Sequence, residues 1–419
     1  ELHPESDGAG NEYDDVRGSV SSGMITLRIP FGCTVPGYNP VLCGLNRRML
    51  APIVRDIDII TNAAAVGPAE AAKFADSGTL VSGVTFIDGS LSPADVEAMI
   101  EAAGADSIVV ASGDAGEIVP LNTIDMNMGQ VLLGGGSALP VVGCDTGIAA
   151  NFRAPGSRPT FTFAGAAFEE MIAGADNNRF QGIDATTSND GGHVVELNSN
   201  TNVVFEDVNF STAGENANAI DDAFGASDFT VNNSTLSTSG DFSVAISTPF
   251  GSSQFTVNDS TLITTGDFSD GIGAAFSNAQ FTVNDTTIRT SGEGSSGIDA
   301  FASIGDTIRF TANNVDIATS GLDAEGIDVT GDVEFIVNGG NITTTGPGEA
   351  HGVEVSYSHS GGTPSTPTFL LDGVTINAAG DGISINNATN PPDNGTVNGT
   401  ITGSNITAGA GFDEINAEP

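Results

Sequence analysis

One pattern recurs through residues 203–383 and limits what the chain can fold into. It reads FTVNNSTLSTSG at 229–240, FTVNDSTLITTG at 255–266, FTVNDTTIRTSG at 281–292, FTANNVDIATSG at 310–321 and FIVNGGNITTTG at 335–346. The closing glycines Gly214, Gly240, Gly266, Gly292, Gly321 and Gly346 are spaced by 26, 26, 26, 29 and 25 residues. A period of that length marks a stacked array, because one repeat cannot bury its apolar face alone and successive copies can. The apolar runs are short and alternate as half-buried strands do, and β-branched residues with Gly and Asn breakers disfavour helix.

Stacking puts equivalent residues in columns about 4.8 Å apart. One column holds Phe205, Phe229, Phe255, Phe281, Phe310, Phe335 and Phe369. A second holds Phe210, Leu236, Leu262, Ile288, Ile317, Ile342 and Ile376, and a third Ile220, Ile246, Ile272, Ile298 and Ile327, continued by Val353 and Ile383. Three apolar columns predict a three-sided tube. Asn232, Asn258, Asn284, Asn313 and Asn338 form a polar column, followed by Asp372. Asn tolerates the left-handed conformation of a sharp turn, and its amide can bond to the copy above. Thr212, Thr238, Thr264, Thr290, Thr319 and Thr344 share parity with the inward Leu/Ile column. They predict a turn or interior ladder, not a flat outer array of the ice-binding kind.

Upstream of the repeats, LSPADVEAMIEAAG at 91–104 predicts a helix over 92–104. Ser92 suits the N-cap, Pro93 the first helical position and Asp95 a capping box, and Val96, Met99, Ile100 and Ala103 make one apolar face. Such a helix shields the open strand edges of the first coil. Coil period, the Asn column and this capped opening together resemble the right-handed parallel β-helix of pectate-lyase-like proteins, in the style of bacterial autotransporter or haemagglutinin-type surface passengers. The resemblance spans roughly residues 90–410 and implies an all-β fold. About ten or eleven coils are expected behind a mixed cap that contains the helix. Four parts follow: an exposed acidic arm at 1–20, a cap or assembly region at 21–105, irregular first coils at 106–200 and regular repeats at 201–419.

Smaller segments add detail. GPAEAAKFADSG at 67–78 reads as a short helix, and 145–160 as a loop or lateral excursion. Cys33 and Cys43 flank a Pro/Gly-rich loop; on the premise of export they pair, which adds about 2–3 kcal/mol, and otherwise they are two free thiols. Cys144 stands apart and reads as a packed apolar residue, and the spacing fits no zinc site. Arg47, Arg48 and Arg55 make a basic island suited to docking on an acidic surface of a neighbouring copy, or to local salt bridges.

Net charge is −42, with 11 Lys and Arg against 53 Asp and Glu. Phosphate recognition needs basic clusters, so nucleic acid is a poor partner, and so is an anionic membrane surface. No stretch reaches the ~20 apolar residues of a membrane span. The absence of an initiator Met at Glu1 fits a leader removed on export, or a trimmed chain.

Chemistry is sparser. Asp221 and Asp222 are adjacent, and Asp184, Asp221, Asp299 and Asp328 each follow an Ile. Pectin-hydrolysing relatives use clustered aspartates as acid and base, which makes Asp221 and Asp222 the catalytic candidates. As a repeat feature, the Ile-Asp series reads instead as a solvated or weakly calcium-binding stripe, with Asp184, Asp221, Asp299 and Asp328 as its ligands. The resemblance to polygalacturonases fails on two elements: Gly192-His193-Val194 stands for Gly-His-Gly, and no Arg-x-Lys occurs. Lyase relatives use Arg and Lys beside calcium, whereas Arg179, Arg289 and Arg309 are dispersed here. With no Trp and three Tyr, sugar-stacking platforms look scarce. Asn-x-Ser/Thr at Asn232, Asn258, Asn284, Asn341, Asn394, Asn398 and Asn405 offers glycosylation acceptors, although the first three belong to the Asn column.

These features point to a secreted or cell-surface structural protein, needing no cofactor. It would be a filament subunit or adhesin-type passenger, self-assembling through its N-terminal region and open C-terminal coil, with itself or matrix components as partners. The alternative is a polysaccharide lyase or hydrolase acting on an acidic polymer, and one fold hosts both.

Overall fold

The computed structural model describes residues 70–357, 366–387 and 396–417, with the backbone of two strands nearer the N-terminus. The chain divides into two compact units, Glu1–Pro68 and Ala69–Pro419. In the first, Gly10–Asp14 pairs antiparallel with Gly18–Ser22. Cys33, Cys43, Arg47, Arg48 and Arg55 lie outside the described residues.

The second unit is a right-handed parallel β-helix with three sheet faces. The Phe face carries twelve rungs, from Val84–Asp88 to Asn398–Thr402. The Thr face runs from Thr160–Phe163 to Asn405–Thr407 and is continuous with the Phe face through two long strands, Ile308–Thr319 and Val333–Thr344, which turn the corner unbroken. The third, the Asp face, stacks eleven short strands from Ile124–Asp125 to Ile415–Ala417. There are thus about twelve turns rather than ten or eleven. The difference arises because Val84–Asp88, assigned to the cap from sequence, is itself a rung paired in parallel with Ile108–Ser112.

The apolar columns stack in register. Phe229, Phe255, Phe281, Phe310, Phe335 and Phe369 are successive partners, with ring centroids 4.8 to 5.5 Å apart. Phe205 leaves the column: it pairs with Val231 and stacks on Phe180 at 5.1 Å. A slip of two residues preserves side-chain parity, so the ring stays inside and the apolar pattern cannot detect the shift. Leu236 to Ile376 and Ile220 to Ile383 form the other two columns of the core.

The polar columns divide the labour differently from expectation. The Asn column lies in extended strand and makes an amide ladder: Asn258, Asn284, Asn313 and Asn338 each donate Nδ2 to Oδ1 of the Asn below, at 2.7–2.8 Å. The left-handed turn falls one residue later, on Asn233, Asp259, Asp285 and Asn314 at φ 47–52° and then on Gly339 and Gly373. The Thr column is interior. Thr212, Thr238, Thr264 and Thr290 each donate Oγ1 to the carbonyl five residues on, at 2.5 Å, bracing the corner that leads to the Asp face.

Helix α1 (Pro93–Ala102) has Ser92 as N-cap, whose hydroxyl accepts from the Asp95 amide, and it buries Val96 and Ile100 against the first rungs. Gly104 then takes φ 80°. Among the described residues of 67–78 the expected short helix is absent. Ala72–Phe74 is instead an edge strand paired antiparallel with Ala138–Gly143, which pairs in turn with Ala149–Arg153. A helix of that length is marginal by itself, and burial of Phe74 decides the outcome. This three-stranded sheet covers the outside of the first rungs, where Ile108, Val110, Val131 and Leu133 pack with Phe74 and Leu139 in a second core.

Candidate functional site on the acidic face

The Asp face presents two outward columns. One lies just after each inward Ile or Val: Glu196, Asp221, Ser247, Gly273, Asp299, Asp328, Glu354 and Ser384 are register partners on consecutive rungs. The other lies two residues before it and reads Glu170, His193, Asn218, Val244, Asp270, Ser296, Glu325, His351 and Asp381, linked rung to rung by backbone hydrogen bonds. From Asp270 onward a glycine separates the columns: Gly271, Gly297, Gly326, Gly352 and Gly382. A Cβ there would strike the Cγ2 of an Ile on the Thr face, so the repeat demands glycine for packing.

Two clusters result. In the lower one, His193 Nδ1 accepts the Asn218 amide at 2.9 Å, which leaves the neutral ring's proton on Nε2, 3.7 Å from Asp221 Oδ2. Asp221 Oδ1 accepts from Asn218 Nδ2 at 2.6 Å. Burial, then the charges of Glu170 and Asp221, raise the Glu196 carboxyl above its usual range. In the upper cluster, burial pushes Asp270 up to about 7 and Glu325 to about 8, with the charge of Asp328 adding to both. Burial, then the charges of Asp270 and Glu325, holds Asp299 well above the ordinary range, and burial, then the charges of Asp299 and Glu354, does the same to Asp328. His351 mirrors His193: its Nδ1 accepts the Asp381 amide at 2.9 Å.

The sequence candidates scatter. Asp184 is not on this face. Its strand Asp184–Thr187 belongs to the Thr face, where Asp184 pairs with Arg158 at 2.7 Å. The same Ile-Asp dipeptide thus occupies two faces, because irregular early coils blur the count. Asp221 is in the outward column yet buried, while Asp222 points inward and is fully enclosed. Ser227 N, Ser227 Oγ and Ser253 Oγ satisfy Asp222, which places it out of reach of a substrate. Asp299 and Asp328 are adjacent, three and four rungs from Asp221. Among the described residues no group of three or more His, Cys, Asp or Glu has the geometry to hold a metal ion.

Sequence reasoning missed Asp270, Glu325, Glu196 and His351, and named His193 only as a departure from Gly-His-Gly, although the repeated x-Gly-Ile motif places the first two in register. It also missed exposed aromatics. Phe224, Phe250 and Phe276, spaced by 26 residues, stack at 5.8 and 5.4 Å along the corner between the Asp and Phe faces, and Phe242 stacks on Phe268 at 5.3 Å along another. All five are about half exposed or more.

No family model and no curated protein matches the chain. Three solved structures are similar. The A-module of an Azotobacter vinelandii mannuronan C-5 epimerase has 15% identity and a TM-score of 0.49 over 77% of this chain and 95% of that one. Bacteriophage CBA120 tailspike protein 3 has 11% identity and a TM-score of 0.41 over 79% and 57%. A Streptococcus pneumoniae surface protein and adhesin has 11% identity and a TM-score of 0.32 over 78% and 97%. Likeness this distant says nothing of activity, and the rung register itself defines the fold.

Proposed function

We propose that the chain is a secreted or cell-surface structural solenoid, a filament subunit or adhesin-type passenger that works through its side wall. The observation that carries this reading is the uniformity of that wall. Thr230, Thr256, Thr282 and Thr311 repeat outward on the Phe face beside the Asn ladder. The groove over the last three, about 440 Å³ and lined also by Asp228, Gln254, Gln280, Arg309 and Glu334, is open and shallow. Arg309 and Glu334 close on each other in a two-bonded pair at 2.8 and 3.0 Å, leaving no free cation there. Among the described residues no helix is long and apolar enough to cross a membrane. Self or matrix components are the partners of this reading, and it needs no cofactor. Electron microscopy of the purified chain and immunolabelling of its host cells test it. Filaments or a labelled surface layer are expected, and dispersed particles with an unlabelled surface overturn it.

One observation favours a second reading, a polysaccharide lyase or hydrolase. His193, Asp221, Glu170 and the hard-to-ionise Glu196 converge on one wall, which is the material of acid–base catalysis. Incubation with acidic and neutral polysaccharides, with and without calcium, tests it. Product that disappears in Glu196→Gln supports it, and no product above background ends it.

A further inference from the structure

The upper part of the Asp face stacks carboxylates where a parallel ladder allows them least room. Asp299, Asp328 and Glu354 are direct register partners on three consecutive rungs, about 4.8 Å apart along the tube. Asp270, Glu325 and Asp381 flank them in the neighbouring column, with Ser296 and His351 between. Glu325 is nine-tenths buried, and its one polar side-chain contact is Ser296 at 3.3 Å. The groups across both corners are acidic too: Asp267, Glu293, Asp323 and Glu349 on the Thr side, Asp306 and Asp332 on the Phe side. Among the described residues the nearest guanidinium groups belong to other faces, Arg289 on the Thr face and Arg309, paired with Glu334, on the Phe face. Among the described residues the imidazole of His351 is the one basic group on this stretch, and its Nδ1 is committed to the Asp381 amide.

Like charges stacked in register repel, and a half-buried wall screens them poorly. Ionising every member at once is therefore disfavoured, and a shared proton that turns one carboxylate into a donor relieves a neighbour. We propose that the rungs from Asp270 to Glu354 form a pH-responsive segment of the solenoid, clamped by protons shared along the carboxylate ladder and loosened when the ladder ionises. Below it only a two-rung stack stands in register, Glu196 on Asp221. Ser247 and Gly273 separate Asp221 from the ladder, and Asp221 is held by Asn218. The response is thus local.

Hydrogen exchange resolved by segment tests it, in chelator throughout so that protons alone neutralise the ladder. Protection of Ile298–Phe301 and Ile327–Thr330, corrected for intrinsic exchange, is compared at pH 6 and pH 9, with Thr235–Thr238, whose coil carries Val244 and Ser247 in the two columns, as the internal reference. Expected in the wild type is a loss of about tenfold or more on going to pH 9 in the two ladder strands, with the reference unchanged, since one unit of displaced titration is a factor of ten. Asp299→Asn/Asp328→Asn, which fixes the neutral form, should match the wild type at pH 6 and keep its protection at pH 9. Glu325→Gln alone should recover part of the same protection, and serves if the double variant does not fold. Equal protection of the wild-type strands at both pH values overturns the proposal. So does a variant that is weaker than the wild type at pH 9.

Discussion

Gly266 shows how much of the fold a single missing side chain carries. Its φ is not left-handed. A Cβ there would instead fall on the carbonyl oxygen of Gly240, one rung below, and Gly240, Gly292, Gly321 and Gly346 stand in the same relation to the glycine beneath each. The glycines that close every repeat are thus spacers for backbone on backbone. Gly266→Ala is expected to lower stability by about 1–3 kcal/mol, the range for overpacking a filled site, because the obstacle is backbone that cannot rotate away. Denaturant unfolding at constant m-value checks it. The position was legible as the end of the repeat, but the cause was not, since sequence shows that a glycine recurs and not what presses on it. The Asn column was half legible in the same way. Its amide ladder follows from repetition, whereas the positive φ sits on the next residue, where Asn, Asp and Gly alternate and so hide the column.

Helix α1 was readable because its signals are local: a capping Ser, a Pro at the first turn and an i, i+4 pair of apolar residues. Ser92→Ala should cost about 1 kcal/mol through the lost cap, and Ile100→Ala about 2–5 kcal/mol through the cavity left over the first rungs. Thermal melts of the two variants rank them in that order. The three-stranded side sheet was illegible for the opposite reason. Ala72–Phe74 has no strand pattern of its own, and its conformation is set by partners about seventy residues away in sequence. The acidic face lies between these cases. Asp299 and Asp328 were found through their Ile, whereas Asp270 and Glu325 belong to a column set off by the turn glycines. Only the register shows that the two columns share a wall.

The tube as one body should record its charge distribution in its pH dependence. Asp270, Asp299, Glu325 and Asp328 titrate above the ordinary carboxylate range when folded, so the native state binds their protons more tightly than the unfolded chain. That contribution is full below pH ~4 and is lost as pH rises through about 7 and 8, the values for Asp270 and Glu325. Glu70, Asp88 and Asp114 act in the opposite sense. Hydrogen bonds from Thr146, Ser90 and Ser157 hold them below their ordinary values, so their contribution is present above pH ~4.5 and lost in stronger acid. The thermal midpoint should therefore peak in mild acid, at about pH 4.5–6, and decline toward pH 9. A scan in low-salt buffer checks it.

The solenoid has one rung per repeat, each lying on the last. Thr230, Ile336 and Leu370 are outward positions of one column on the Phe face, four and five rungs apart by strand register. Val204 lies one rung below Thr230. Pulsed electron-spin distances between nitroxides at 230 and 336, 230 and 370, and 204 and 370 should centre near about 19, 24 and 29 Å, rising by one strand spacing per rung. Distances that do not grow with rung number, or a 230–336 pair as far apart as the 204–370 pair, would contradict the stacked tube.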